Sequence, residues 1–278
     1  SFNFMNIQTR LRGNISGPDV LGAKTSGVVE GAFFGHNEMD VNGFRMRHAF
    51  VKLNWTNTEL LVGQTWHPMF IAQSFPLVVS FNTGAPFQPF SRNPQVCLTQ
   101  KFGKFSLAGI AFSHRDFTSA AGVEGLRNSV IPELHFQVAY SSENEEKGTQ
   151  LLLGGGAGYK TLVPRLETDN NYKADESVTS FMAEAHAKIG LKNINIRTQV
   201  HYGQNSYDLL MISSFAVTSV DPVTDVRTYT PLTSVSTWID LHTTHTVWQV
   251  GLFGGHHVRL GAGKTIDPTM VMGSRGDI

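Results

Sequence analysis

Residues 177–203 read SVTSFMAEAHAKIGLKNINIRTQVHYG. Phe181, Ala183, Ala185, Ala187 and Ile189 alternate with Ser180, Glu184, His186 and Lys188. After Leu191-Lys192-Asn193 the alternation resumes, with Ile194, Ile196, Thr198, Val200 and Tyr202 set against Asn195, Arg197, Gln199 and His201. A period of two belongs to a strand, whose successive side chains point to opposite faces. Two such runs joined by three residues form an antiparallel hairpin. The runs are about nine to thirteen residues long, which suits a tilted membrane-spanning strand (about 9–11 residues) better than the usual soluble strand of about 5–6.

The same alternation recurs outward from this hairpin, over 5–12, 133–141 and 234–242. Twelve candidate strands result: 2–12, 23–35, 44–54, 58–65, 95–102, 105–114, 132–142, 149–159, 177–190, 194–203, 234–242 and 246–257. The class is all-β, with no convincing amphipathic helix. From the third strand on, short links (55–57, 103–104, 143–148, 191–193, 243–245) alternate with long ones (66–94, 115–131, 160–176, 204–233, 258 onward). A transmembrane antiparallel β-barrel has this asymmetry, with short periplasmic turns and long extracellular loops, whereas a sandwich has no reason for it. Such a barrel is closed by an even number of strands with both termini in the periplasm. The reading therefore expects one upward strand before Ser1 and a downward strand after Ile278, for at least 14 strands in all. Residues 1–278 are read as a single barrel domain lacking terminal strands, and Gly273–Ile278 is not read as a closing strand.

Composition agrees. Only 16% of the 278 residues are charged, the net charge is +0, 41% are hydrophobic and 27 are glycine. That is too apolar and too neutral for disorder, and it lacks the basic excess that phosphate contacts with nucleic acid require. The uncharged stretch 60–91 is no membrane helix, because Pro68, Pro76, Pro86 and Pro89 interrupt it. It reads as a long ordered loop. Cys97 is the single cysteine, so no internal disulfide forms; its parity with Gln95, Thr99 and Lys101 puts it on the polar face.

If the polar faces enclose water, selectivity comes from charged residues at the narrow zone. The candidates are Arg10, Arg12, Arg45, Arg47, Lys101, Lys188 and Arg197, facing Glu30, Glu133, Glu184 and Asp240. Seven cations against four anions suggest a weak preference for anionic solutes. The parity of Arg45 and Arg47 is ambiguous, because Phe44 and Met46 alternate in one phase and Ala49, Val51 and Leu53 in the other. An inward placement is expected, since a guanidinium in lipid is costly. Trp55, Tyr140, Tyr159 and Tyr202 lie near strand ends, where an aromatic girdle would sit.

Other motifs are discounted. Eleven histidines include His242, His245 and the neighbours His256 and His257, but adjacent strand residues face opposite ways and cannot easily share an ion. Scattered wall histidines are the expectation, with no metal and no cofactor. Gly261-Ala262-Gly263-Lys264-Thr265 lacks the first glycine of a P-loop, since Val258 stands there. Gly154-Gly155-Gly156-Ala157-Gly158 suggests close backbone approach or a protomer contact. Arg275-Gly276-Asp277 is read as a chance tripeptide.

Arg45-Met46-Arg47-His48-Ala49-Phe50-Val51-Lys52-Leu53-Asn54-Trp55, followed by Leu61-Val62-Gly63-Gln64-Thr65-Trp66, resembles the third and fourth strands of trimeric Gram-negative porins. The "VGQTW" ending and Arg92-Asn93-Pro94-Gln95 resemble the DcaP-like porins, and Gly22-Ala23-Lys24-Thr25-Ser26-Gly27 before Glu30 and Phe33-Phe34-Gly35 is similar to porins of the Bacteroidota type. The likeness is patchy after about residue 115, and no single motif is highly specific. It implies a 16-stranded homotrimer in the outer membrane of a Gram-negative bacterium, in contact with lipid and passing small hydrophilic solutes, with a loop folded inward. On that resemblance, 66–94 is the candidate constriction or else a contact loop between protomers, and Arg92 joins the pore-lining candidates. The chain also lacks the aromatic C-terminal residue that such barrels usually carry.

The leading reading is a passive diffusion porin with no enzymatic activity. The alternatives are a structural or plugged barrel subunit of an outer-membrane assembly, a barrel lipase (no Ser–His pair is evident on a lipid-facing strand) and a soluble carbohydrate-binding β-sandwich.

Overall fold

The structure is a computed structural model and describes residues 9–35, 40, 42–78, 83–266 and 270–272. The start of the first candidate strand, the 273–278 stretch and the Arg275-Gly276-Asp277 tripeptide lie outside these residues.

Fourteen strands form one sheet among the described residues. They are β1 (Thr9–Ser16), β2 (Lys24–Phe33), β3 (Phe44–Asn54), β4 (Thr58–Trp66), β5 (Arg92–Phe102), β6 (Phe105–Phe112), β7 (Glu133–Asn144), β8 (Thr149–Leu162), β9 (Val178–Gly190), β10 (Ile194–Gln204), β11 (Phe215–Val220), β12 (Arg227–Thr243), β13 (Gly251–Ala262) and β14 (Val271–Met272). The sheet runs in sequence order from β1 to β10 and continues through β12 to β13. The quoted hairpin is β9–β10, registered Arg197 opposite Lys188 and His201 opposite Glu184. A strand forms at each of the twelve expected places, the first (2–12) described only from Thr9 and running on to Ser16, and the last (246–257) displaced to Gly251–Ala262. A single continuous sheet replaces the two stacked sheets that the sandwich alternative required.

Two corrections concern the region after β10. The link 204–233 is not all loop, because it contains β11 and the first part of the 17-residue β12. β10 pairs with β12 from Thr233 onward, and β11 pairs with it from Pro231 back to Arg227. Leu232 joins the two: its N–H donates to Ser214 O (2.8 Å), and its carbonyl accepts from Asn205 N–H (3.0 Å). A peptide's N–H and C=O on one strand residue face the same neighbour, so β10 and β11 lie on one side of β12, and 205–214 is an excursion out of the wall. β14, also unexpected, pairs with β11 at Phe215 and Ala216. The only α-helix among the described residues is the seven-residue α1 (Gly122–Asn128). It covers a small apolar core of Leu126, Leu162, Val178 and Phe215 at the long-loop end.

The wall is polar inside and apolar outside. Val51, Leu98, Phe136 and Phe181 are each more than half exposed, while Glu133, Ser180 and Ser234 on the opposite face are wholly buried. Outward aromatics pair across strands near both ends. Phe105 and Tyr140 lie 5.0 Å apart near the short turns, and Tyr159 and Phe181 lie 5.4 Å apart toward the long loops. This distribution suits hydrocarbon outside and water inside.

The ambiguous parity of β3 has a local cause. Glu30 faces His48 but Gly31 faces Met46, so Arg47 is the extra residue of a β-bulge. A bulge inserts one residue and reverses the alternation beyond it. Phe44 and Met46 point outward before it and Val51 after it, which leaves Arg45 and His48 buried on the inner side. The "VGQTW" strand is built around the bulge. Gly63 has φ +128°, and a Cβ there would lie 2.3 Å from Ala49 O. Gln64 Nε2 donates to the carbonyls of Met46 (3.1 Å) and Arg47 (3.4 Å), beyond the last β3–β4 pair at Ala49–Gln64. The glycine run of β8 serves close approach: a Cβ on Gly154 would lie 2.5 Å from the His186 ring, and one on Gly158 would lie 2.3 Å from the His135 ring.

Candidate functional site

Three segments leave the wall and fold over its inner face. The described parts of the 67–91 segment are tied to the inner side of β9, β10, β12 and β13. Gln199 Nε2 donates to Met69 O (3.0 Å), Ser74 Oγ to Ala187 O (3.1 Å) and Arg197 Nη1 to Phe75 O (3.0 Å), and Leu77 N–H donates to Asp240 Oδ2 (3.2 Å). Its return limb bonds β12 and β13, with Ser236 Oγ donating to Phe87 O and His257 Nδ1 to Pro86 O (3.0 Å). The second segment follows β6 and brings Asp116 and Phe117 inward. The third is the 205–214 excursion. Phe90 N–H donates to Leu209 O (2.9 Å), and Met69, Met182, Leu209 and Met211 form a dry cluster between the segments.

A cavity of about 320 Å³ remains between the 67–91 segment and strands β1–β5. Arg10, Arg45, Arg47 and Arg92 line it, and its remaining wall is largely aromatic, including Trp66, Phe70, Phe75 and Phe90. Trp66 stacks on Phe70 at 4.0 Å. The guanidinium carbon of Arg92 lies 5.0 Å from the Trp66 ring and 5.3 Å from Phe90, and that of Arg45 lies 4.9 Å from Phe117. Aromatic faces attract cations and hold them in place. Glu30 binds Arg47 (2.8 Å), Arg12 (3.2 Å) and Arg10 (3.5 Å). Asp116 binds Arg92 Nε through Oδ2 (3.1 Å) and Arg45 through Oδ1 (2.8 Å to Nε, with Nη2 closer still). These five guanidinium groups outnumber the two carboxylates they bind. Guanidinium donates without accepting and stays charged at any working pH. The site can therefore accept carboxylate, phosphate or chloride.

A second cluster is fully enclosed. Glu133, at the start of β7, accepts from His114 Nε2 (2.7 Å) and His135 Nε2 (2.9 Å), and His67 Nε2 lies 3.6 Å away. Lys160 Nζ donates to Asp208 Oδ1 (2.7 Å) and Asn205 O (2.9 Å) and lies 3.9 Å from Glu133. All six side chains are 0% exposed. His67, Glu133 and His135 are close enough to hold a metal, as are His114, Glu133 and Asp208. For the first set the His67 tautomer argues otherwise. Its Nδ1 accepts the Met69 N–H (3.0 Å), so its proton sits on Nε2 and points toward Glu133. At 3.6 Å this is an electrostatic contact and not a hydrogen bond. Through His67, His114 and Asp208 the cluster ties together all three inserted segments.

The pore-lining candidates therefore divide. Arg10, Arg12, Glu30, Arg45, Arg47 and Arg92 come together at the cavity. Lys101 and Lys188 line a separate space of about 340 Å³ near the short turns. Arg197 and Asp240 bond the backbone of the 67–91 segment, Glu184 bonds His186 (3.0 Å), and Glu133 is buried in the histidine cluster. Cys97 lies on the inner side, 3.7 Å from Thr99 Oγ1. His256 and His257 face opposite ways, as expected. Asp116, His67, His114, Lys160 and Asp208 were missed. Lys160 continues the inward parity of Gly154, Gly156 and Gly158, which would have found it; Asp116 and Asp208 lie in long links that carry no periodic signal.

No protein-family model matches the chain, and no curated protein matches it. Among solved structures it is similar to the outer membrane channel DcaP of Acinetobacter baumannii, with 18% identity and a TM-score of 0.66 over 91% of this chain and 67% of that one. It is also similar to OmpT, an outer membrane protein of Vibrio cholerae solved in a trimer form, with 11% identity and a TM-score of 0.40 over 93% of this chain and 87% of that one. By the likeness to DcaP, the chain has the all-β fold of an outer-membrane channel barrel.

Proposed function

We propose that the protein is a porin of the DcaP-like kind in the outer membrane of a Gram-negative bacterium. In this reading it passes small hydrophilic solutes by diffusion, with a preference for anions and no chemical step. The observation that carries this is the cavity at the β1–β5 wall, where arginines outnumber carboxylates and aromatic rings fix them in place. The 66–94 loop acts as the constriction, since it crosses the inner face and forms one side of that cavity. Lys101, Lys188 and the exposed tips of Arg10 and Arg12 extend the positive lining. A homotrimer held in lipid is the assembly proposed. The Bacteroidota-type alternative rests on the 22–35 stretch alone.

Planar-bilayer recording tests this reading. The protein should give stable conductance steps in groups of three and a reversal potential in a KCl gradient that favours chloride. Arg47→Glu should move that potential toward potassium. An unchanged potential would remove Arg47 from the selective zone. The second reading, a plugged structural subunit, draws on the dry contacts between the inserted segments, and the absence of any conductance would favour it.

A further inference from the structure

The two carboxylates at the arginine cavity differ in how they are mounted. Glu30 belongs to wall strand β2 and is paired on both sides, opposite Arg12 and His48. Asp116 belongs to the irregular connection after β6. That connection is held nearby by Arg115 N–H donating to Asn93 Oδ1 (3.0 Å) and by Phe117 lying 6.2 Å from Phe90. Its carboxylate bridges two guanidinium groups, one oxygen to Arg45 and the other to Arg92. A free anion would bridge the same pair in the same way. The pair keeps donor capacity, because the buried Arg92 Nη1 has no hydrogen-bond partner among the described residues. Arg92 is also braced on Trp66 and Phe90, rings that lie outside the connection carrying Asp116.

We propose that Asp116 is an internal ligand of the Arg45–Arg92 pair, a carboxylate of the chain's own that an incoming anion displaces. The proposal rests on the reading that anions enter this cavity. Asp116 then sets the affinity of the site: it keeps the arginines aligned and partly neutralised when no solute is bound, and it weakens solute binding enough for release. An internal competitor lowers apparent affinity by the fraction of time the site is free. If Asp116 occupies the pair roughly nine-tenths of the time, removing it tightens anion binding about tenfold.

The test is block of chloride current by inorganic phosphate in planar bilayers. In Asp116→Asn the half-blocking phosphate concentration should fall about tenfold, and the KCl reversal potential should move further toward chloride. Asp116→Glu, which restores a carboxylate, should return both toward the parent values. Asp116→Ser removes the carboxylate a second way should the Asn variant not assemble, with folding of every variant checked by heat-modifiable gel migration. Unchanged or weaker phosphate block without the carboxylate overturns the proposal. So does an equal tightening in Glu30→Gln, which would assign the effect to lost negative charge alone. A parent protein that favours potassium breaks the anion reading separately, whatever the variants do.

Discussion

The arginine cavity and the Glu133 cluster are built from the same materials and behave as opposites. In both, charged residues of the inner face meet a segment folded in from a long link. Around Glu133 and Asp208, three imidazoles and one ammonium group surround two carboxylates, and nothing is left exposed. At the cavity, five guanidinium groups share two carboxylates, and Arg10 and Arg12 remain about half exposed. Strand parity sends a charge inward in either case. Whether that charge meets solvent depends on the segment that arrives above it. An enclosed cluster fastens the fold, while a surplus of donors beside open space stays within reach of what enters that space.

The sharpest way to break this contrast is to remove each anion. Glu133→Ala strips the hydrogen-bonded carboxylate from buried His114 and His135 and a nearby negative charge from His67 and Lys160, and breaking a buried pair of this kind is expected to destabilise by about 3–5 kcal/mol. Glu30→Ala, whose partners include half-exposed arginines, should cost about 1 kcal/mol or less. Thermal unfolding in detergent measures both, and equal losses would erase the distinction between fastening and available clusters. Next comes the wall itself. Val96→Arg places a cation on the outer face and should destabilise by about 2–4 kcal/mol in lipid. Thr99→Arg, on the inner face beside Cys97, should be tolerated. If both variants fold equally well, hydrocarbon does not surround this molecule.

Two smaller effects refine the comparison. Gln64→Ala leaves the carbonyls of Met46 and Arg47 without their side-chain donor, at about 1–3 kcal/mol. Because the bulge aims Arg47, reversal potential should shift along with stability, whereas a stability loss alone would separate the bulge from the cavity. The least effect concerns the outer loops. Hydrogen bonds from Arg165 and then Arg227 hold the Asp225 carboxyl down at about 2, against about 3.9 in an unfolded chain. A lowered folded value contributes stability above the unfolded value and loses it as pH falls through the folded one. Hydrogen-exchange protection factors, each taken against the intrinsic rate at that pH, should stay constant over 163–177 and the β11–β12 tip from about pH 7 to 5 and fall only between about pH 4 and 2. Loosening already near pH 6 would contradict the assigned contact.

How much of this could be read in the sequence follows from the range of each signal. The wall was legible, because alternation is local and repeats strand after strand; a strand formed at each of the twelve expected places, and the β9–β10 hairpin sits in the register that its polar face implies. The phase conflict around Arg45 and Arg47 was also visible, though its cause, a bulge answered by Gln64, needs two strands seen together. The excursion at 205–214 and the placement of Asp116 were not legible. Both are decided by contacts across the interior, between residues distant in the chain and without period. Lys160 stands between the two cases. It kept the parity of its strand, but the strand's expected end at 159 fell one position short of it.

The continuous span of β12 past both β10 and β11 has a structural corollary. One unbroken strand splints the hoop while its neighbour steps out and returns, and Leu232 fastens both edges of the gap. The ladder of the wall is therefore independent of the detour, whose residues Asp208, Leu209 and Met211 answer only to the clusters inside. Change in the interior at this position can accumulate while the wall around it keeps every rung.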